Sequence, residues 1–213
     1  MAPWKTRFNN GQAKYDDSKA VSGKHSMKLS QSAGSNGRAM LALDGAPAFP
    51  LKKNVLFGRF MFYTDKPPTP GIHSTFLWAE GKYMGADTKY TYGFHDKILA
   101  VYFRNTSPTT ECWQHKQGSQ LPSGKWQCMA YELNGETNEA RFSLGPTDIP
   151  ELHVIGSTRT TADCVSKDVD PKWYAPNPFT ALVLGWENFG QDVARDTWLD
   201  DVVIDDEPVT CPE

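Results

Sequence analysis

No apolar run in the sequence exceeds a few residues, whereas about 20 are needed to cross a hydrocarbon core, so neither a transmembrane helix nor a membrane partner is expected. Strong positive charge is missing as well. The longest basic run is the pair Lys52-Lys53, and 22 Lys and Arg against 25 Asp and Glu leave a formal net charge of −3. A nucleic-acid binder needs a basic stripe to displace phosphate counterions, so that partner is excluded. No window repeats apolar residues at i, i+3, i+4 and i+7 for three turns, and 17 Gly and 15 Pro recur too often for long helices. An α/β organisation is therefore excluded. There is no Gly-x-Ser-x-Gly elbow, no phosphate-cradling glycine loop and no His-Glu-x-x-His, which removes serine esterase, nucleotidase and zincin chemistry. The paired carboxylates of a jelly-roll glycoside hydrolase are also missing, since Glu132-Leu133-Asn134-Gly135-Glu136 does not supply a Glu-x-Asp-x-x-Glu alternation. Met1 to Trp4 contain no basic segment followed by an apolar one, so no secretory leader is visible.

What is present is a chain of 213 residues, 39 % apolar and 12 % aromatic, enough to bury one sizeable core. A single domain over residues 1–213 is expected. Alternating segments rich in Val, Phe, Tyr, Trp and Thr, separated by Gly, Pro, Asn and Asp clusters, predict strands near 24–31, 38–43, 54–64, 72–80, 88–95, 98–104, 125–134, 139–144, 151–155, 180–187 and 196–204. So many short strands without intervening helices bury their apolar faces sheet on sheet, which predicts an all-β jelly-roll sandwich of two antiparallel sheets with a concave groove. Pro67 to Gly71 reads as a stiff turn, and Thr158 to Pro178 as a long loop. Four cysteines without Cys-x-x-Cys spacing fit two disulfides rather than a zinc site, with three pairings open. Disulfides imply an extracellular or periplasmic compartment. Asn105-Thr106-Ser107 matches a glycosylation sequon, but such triplets are common and Pro108 follows.

Period-two alternation sorts the side chains by face. Leu99, Val101 and Phe103 form one apolar face and Tyr102 and Arg104 the other; Tyr90, Tyr92 and Phe94 oppose Lys89, Thr91, Gly93 and His95. In 72–80, Phe76 and Trp78 are expected on one face, with His73, Thr75, Leu77 and Ala79 on the other. If these strands are neighbours, His73, His95, Tyr102 and Arg104 converge on one polar face. An imidazole takes a proton near neutral pH, a positioned phenol donates one, and a guanidinium holds a carboxylate with two parallel hydrogen bonds, which are the parts of a β-elimination. In Glu111-Cys112-Trp113-Gln114-His115, a cysteine fixes a segment at the groove edge, so Gln114 and His115 are candidate substrate contacts. In Leu184-Gly185-Trp186-Glu187, Trp186 belongs to the core, while Glu187 faces the groove beside Gly185, a glycine that would let a sugar ring approach. The bland alternative makes each of these a solvated surface group or a turn residue.

Ser22-Gly23 with Ser26-Met27-Lys28, His73 with Thr75-Phe76, Leu121-Pro122 with Gly124 and Gln127-Cys128, and Gly185-Trp186-Glu187 followed by Trp198 and Asp200-Asp201 resemble the fungal cellulose-induced protein family and its bacterial relatives. The resemblance runs over nearly the whole chain. It implies a secreted β-jelly roll similar to glucuronan and alginate lyases, a bound Ca²⁺, and lyase action on uronic-acid polymers. Carried over by position, the lyase-like cleft uses His73, Tyr102 and Arg104. Two positions depart: Thr91 stands where the family carries Arg, and His95 where it carries Gln. The calcium positions are Ser22 and Asp200, with His25 replacing an Asn and no acidic counterpart between Trp4 and Gly11. Cys128 and Cys211 match family cysteines while Cys112 and Cys164 are both additions, which favours the pairs Cys128 with Cys211 and Cys112 with Cys164 over a local Cys112 with Cys128.

The resulting expectation is a secreted, monomeric lyase-like protein cleaving an acidic polysaccharide. His73 serves as base and Tyr102 as acid, Arg104 and His95 neutralise the carboxylate, and Thr91, Gln114, His115 and Glu187 line subsites. Its rivals are a non-catalytic carbohydrate-binding protein and an adhesion jelly roll without a glycan site.

Overall fold

The computed structural model describes residues 3–45, 48–95, 98–106, 109–160, 164 and 170–212, the side chains of 95, 103, 109 and 115–119 lying outside the description. Two antiparallel sheets face each other. The seven-stranded sheet runs β1 (Lys5–Asn9), β5 (Arg38–Asp44), β15 (Phe179–Phe189), β7 (His73–Tyr83), β8 (Ala86–His95), β9 (Ile98–Thr106), β10 (Thr109–Gln120). The eight-stranded sheet runs β13 (Thr147–Asp148), β12 (Glu139–Leu144), β11 (Gln127–Asn134), β6 (Val55–Thr64), β17 (Arg195–Asp205), β3 (Ser26–Gln31), β2 (Gly11–Asp16), with β14 (Val154–Ile155) on β12. A small ribbon pairs β4 (Gly34–Ser35) with β16 (Gln191–Asp192). The expected jelly-roll sandwich is thus present.

The core forms because alternate residues of both sheets are large and apolar. Phe60, Phe62, Tyr131 and Phe142 of one sheet meet Phe76, Tyr92, Phe94 and Trp186 of the other. Tyr92 and Phe142 lie 4.7 Å apart between ring centroids, and Phe94 stacks on Trp186 at 5.6 Å. Each such buried side chain contributes roughly 1.5–3 kcal/mol of transfer free energy. Arg195 is also buried; its guanidinium lies over Trp186 and donates to the carbonyls of Lys66 and Pro67. That contact holds the proline-rich turn against the sandwich.

Beside the two-residue strands β4, β13 and β16, three longer strands escape the sequence pattern, namely β1, β2 and β10, and each of these three is a sheet edge. An edge strand hydrogen-bonds on one side and buries little, so its sequence need not alternate. The expected strand at 151–155 is instead a 3₁₀ turn, Pro150–Leu152, followed by the two-residue β14.

One face assignment needs correction. Pairing of β7 with β8 slips between Thr75 and Leu77, so the parity set by His73 does not continue through the strand. Phe76, Leu77 and Ala79 all enter the main core, while Trp78 packs with Met40, Ala42 and Val183 in a second cluster. A bulge places one extra residue on one strand and flips every side chain beyond it. Gly93 is required opposite the slip: a Cβ there would overlap the Ser74 carbonyl oxygen and lie 2.8 Å from the Thr75 Cα.

Both disulfides form as the resemblance implied, Cys112 with Cys164 and Cys128 with Cys211. The first ties the long loop after Thr158 to β10, and the second ties the C-terminal segment to β11. The Asn105 amide is buried and donates to the Tyr174 carbonyl at 3.0 Å, so this sequon asparagine is a packing residue.

Candidate functional site

Two transverse rows cross the groove face of the seven-stranded sheet. In the first, register aligns Trp78, Thr91, Tyr102 and Trp113; in the second, Glu80, Lys89, Arg104 and Glu111. The strand alternation that buries Tyr90, Tyr92, Leu99 and Val101 turns these residues the other way.

Tyr102 is the hub of the first row. Its ring stacks on the Trp113 indole with centroids 4.3 Å apart, and the same indole meets the His73 ring edge-to-face at 5.1 Å. The Glu111 carboxylate and the Arg104 guanidinium both act on the phenol, being register partners across the β9–β10 ladder. Burial, reinforced by the Glu111 charge and opposed by Arg104, pushes its pKa up to about 12. The group is therefore a neutral proton donor at physiological pH. The structure thus brings together three of the four expected catalytic residues, His73, Tyr102 and Arg104. His95 pairs with Ile98 through the backbone, and its side chain lies outside the described residues.

The expected substrate contacts divide. Thr91 belongs to the groove face, but it is buried and its hydroxyl donates to the Tyr102 carbonyl at 3.1 Å. Glu187 is likewise on this face, yet only 3 % exposed, and it accepts from Arg38 Nε at 2.7 Å. It orients that arginine rather than forming a wall. Gln114 is misplaced by the sequence reading: it sits opposite Val101 in register and its amide donates to the Glu151 carbonyl on the core side of β10. The His115 side chain lies outside the described residues. Gly185 is demanded by β5, because a Cβ there would overlap the Ala39 carbonyl oxygen and come within 2.8 Å of the Met40 Cα; no sugar is needed to explain it.

Glu111, Trp113, Trp78 and Lys89 carry no site role in the sequence reading. Recognising β10 as a strand would have found the first two, since they flank the buried Cys112 at period two.

Ser22 and Asp200 do meet, but not as a calcium shell. Asp200 Oδ2 accepts from the backbone N–H groups of Val21 at 2.7 Å and Ser22 at 3.4 Å, while Oδ1 accepts from that of Asp201 at 2.9 Å. The Ser22 hydroxyl donates to Asp201. Ca²⁺ takes six to eight oxygens, whereas here the carboxylate faces N–H donors. Among the described residues no group of three or more His, Cys, Asp or Glu could hold a metal. Hydrogen bonds to Asp200 and Asp201 and the Lys19 ammonium over the Trp198 ring fasten the early turn to β17.

The model of the Cip1-like core domain, of the polysaccharide-lyase-like class, matches residues 5–207. Among solved structures, the chain is similar to a cellulose-induced protein, Cip1, at TM-score 0.70 and 19 % identity over 99 % of this chain and 93 % of that one. It is similar to an endo-β-1,4-glucuronan lyase from the fungus Trichoderma reesei at TM-score 0.66 and 11 % identity, over 96 % and 91 %. The globular domain of T. cruzi calreticulin shares the fold at TM-score 0.59 and 12 % identity, over 97 % and 85 %. No curated protein matches the chain.

Proposed function

The chain belongs to the Cip1-like core-domain family of polysaccharide-lyase-like proteins, and from that premise we propose that its groove binds an acidic polysaccharide and cleaves it by β-elimination. The observation that carries this reading is that one indole, Trp113, contacts both the Tyr102 phenol at 4.3 Å and the His73 imidazole at 5.1 Å between ring centroids, with Arg104 and Glu111 acting on the phenol. A uronate polymer loses its C5 proton to a base once its carboxylate charge is offset. His73 takes that proton, the C4–O4 bond breaks, and Tyr102 protonates the departing O4 as the C4=C5 double bond forms. Arg104, exposed beside the phenol, offsets the carboxylate charge. Calcium has no part in this scheme.

A second reading has its own support. Trp113 contacts both His73 and Tyr102, and an indole beside polar groups is also the surface on which a sugar ring stacks without reacting. A non-catalytic glycan-binding groove is therefore the rival. Two closed disulfides fit an oxidising compartment, which supports secretion. The test incubates the protein with glucuronan, alginate and pectin and follows ultraviolet absorbance of the unsaturated product. Absorbance that rises with wild type and stays flat with Tyr102→Phe supports the lyase; binding without any rise on every polymer supports the rival.

A further inference from the structure

Lys89 occupies an unusual place in the groove. Its Nζ lies 3.8 Å from the centroid of the Trp78 indole, and the side chain is half-buried on the face that carries Tyr102 and Arg104. Among the described residues it has neither a hydrogen-bond acceptor nor an ion-pair partner. The carboxylates near it are already engaged. Glu80 accepts from Arg7 at 2.7 Å through one oxygen and from the Trp78 indole N–H at 3.0 Å through the other, and Glu187 accepts from Arg38. Desolvation draws the Lys89 ammonium below its ordinary pKa, with Glu187 opposing.

Register sharpens the point. Lys89 stands opposite Arg104 across the β8–β9 ladder and opposite Glu80 across the β7–β8 ladder, and its ammonium turns toward the Trp78 ring, over which the Arg38 guanidinium also lies. A desolvated ammonium without a hydrogen-bond acceptor costs more than one in water. That cost is relieved by the arrival of an anion beside the ammonium. The neighbouring cleft, of ≈ 550 Å³, is lined by Glu80, Lys82, Asp87, Lys89, Asn177 and Thr180, with Lys82 paired to Asp87 at 2.8 Å, and has room for a sugar ring.

We propose that Lys89 recognises a carboxylate of the bound chain beyond the one that Arg104 offsets, and is the group by which this chain selects a uronate over the corresponding neutral sugar. The inference rests on the reading of the groove as a glycan site.

The test measures affinity by calorimetry for tetrasaccharides of glucuronate, mannuronate and galacturonate, each beside its carboxyl-reduced form. A His73→Ala background keeps the acidic ligands intact. With Lys89→Met, affinity for the preferred acidic tetrasaccharide should fall roughly tenfold to a hundredfold, the range of a lost charge-assisted hydrogen bond. Affinity for its neutral form should stay within about twofold, since the change removes charge alone. Lys89→Arg should retain most of the acidic preference. Unchanged acidic affinity in Lys89→Met overturns the inference and leaves the glycan reading standing. Equal loss for both ligands overturns it too, by making the lysine a packing residue. Absence of binding to any tetrasaccharide, with or without carboxylates, overturns both.

Discussion

The Trp113 indole stacks on the Tyr102 phenol with planes 28° apart and centroids 4.3 Å apart, and the two residues are register partners across β9 and β10. The edge strand therefore supplies one side of the site's desolvated pocket. Much of the chemistry proposed for the groove depends on that edge staying in place.

The Tyr102 hydroxyl should remain protonated until about pH 12. Glu111→Gln should lower that midpoint, because it removes a negative charge, and Arg104→Met should raise it. The raised folded-state value stabilises the fold fully below the ordinary tyrosine pKa of about 10, and the contribution is lost as pH climbs through about 12. Difference absorbance of wild type against Tyr102→Phe reads the midpoint directly; ionisation near 10 would contradict the assigned environment.

Replacing Trp113 with Ala should bring the Tyr102 midpoint down toward 10 by admitting water, and should weaken glycan binding by about 1–2 kcal/mol. Thermal unfolding should change little more than this, because the strand is a sheet edge. A phenol midpoint that does not move would separate the indole from the desolvation of Tyr102.

The two disulfides should differ in what they protect. Cys128→Ala with Cys211→Ala should cost about 2–5 kcal/mol of stability and leave the Tyr102 midpoint unchanged. Cys112→Ala with Cys164→Ala should cost a similar amount and also lower the midpoint, since Cys112 sits between Glu111 and Trp113. Denaturant unfolding paired with tyrosine titration checks both, and identical titration curves for the two double variants would refute the distinction.

Chelation should not matter to stability. With Asp200 occupied by the N–H groups of Val21, Ser22 and Asp201, the melting temperature should be the same in calcium and in EDTA, while Asp200→Asn should destabilise by about 1–2 kcal/mol. A melting temperature that rises with added calcium would show that the ion displaces these hydrogen bonds.

Gly93→Ala should destabilise by at least about 2 kcal/mol, because the new methyl would meet the Ser74 carbonyl beside the β7 slip. Melting curves measure this. An unaffected variant would mean that the slip relaxes freely.

The architecture was legible in the sequence because buried central strands must alternate. Tyr90, Tyr92 and Phe94 announced one face of β8 without any knowledge of its neighbours, and the opposite face, with Lys89 and Thr91, followed by elimination. The same logic failed at β10, whose threonines, glutamines and lysine show no apolar period, and with it were missed Glu111, Trp113 and the true side of Gln114.

Chain chemistry alone thus settled the all-β sandwich, the oxidised cysteines and the placement of His73, Tyr102 and Arg104 on polar faces, since each follows from local alternation or composition. Tertiary structure decided the rest. A bulge can redirect Trp78 only because a partner strand slips against it, an exposed edge strand is recognised only by what it pairs with, and Lys89 lacks an acceptor only because distant arginines have already claimed the nearby carboxylates. Those are relations between segments far apart in the chain, and no short-range pattern encodes them.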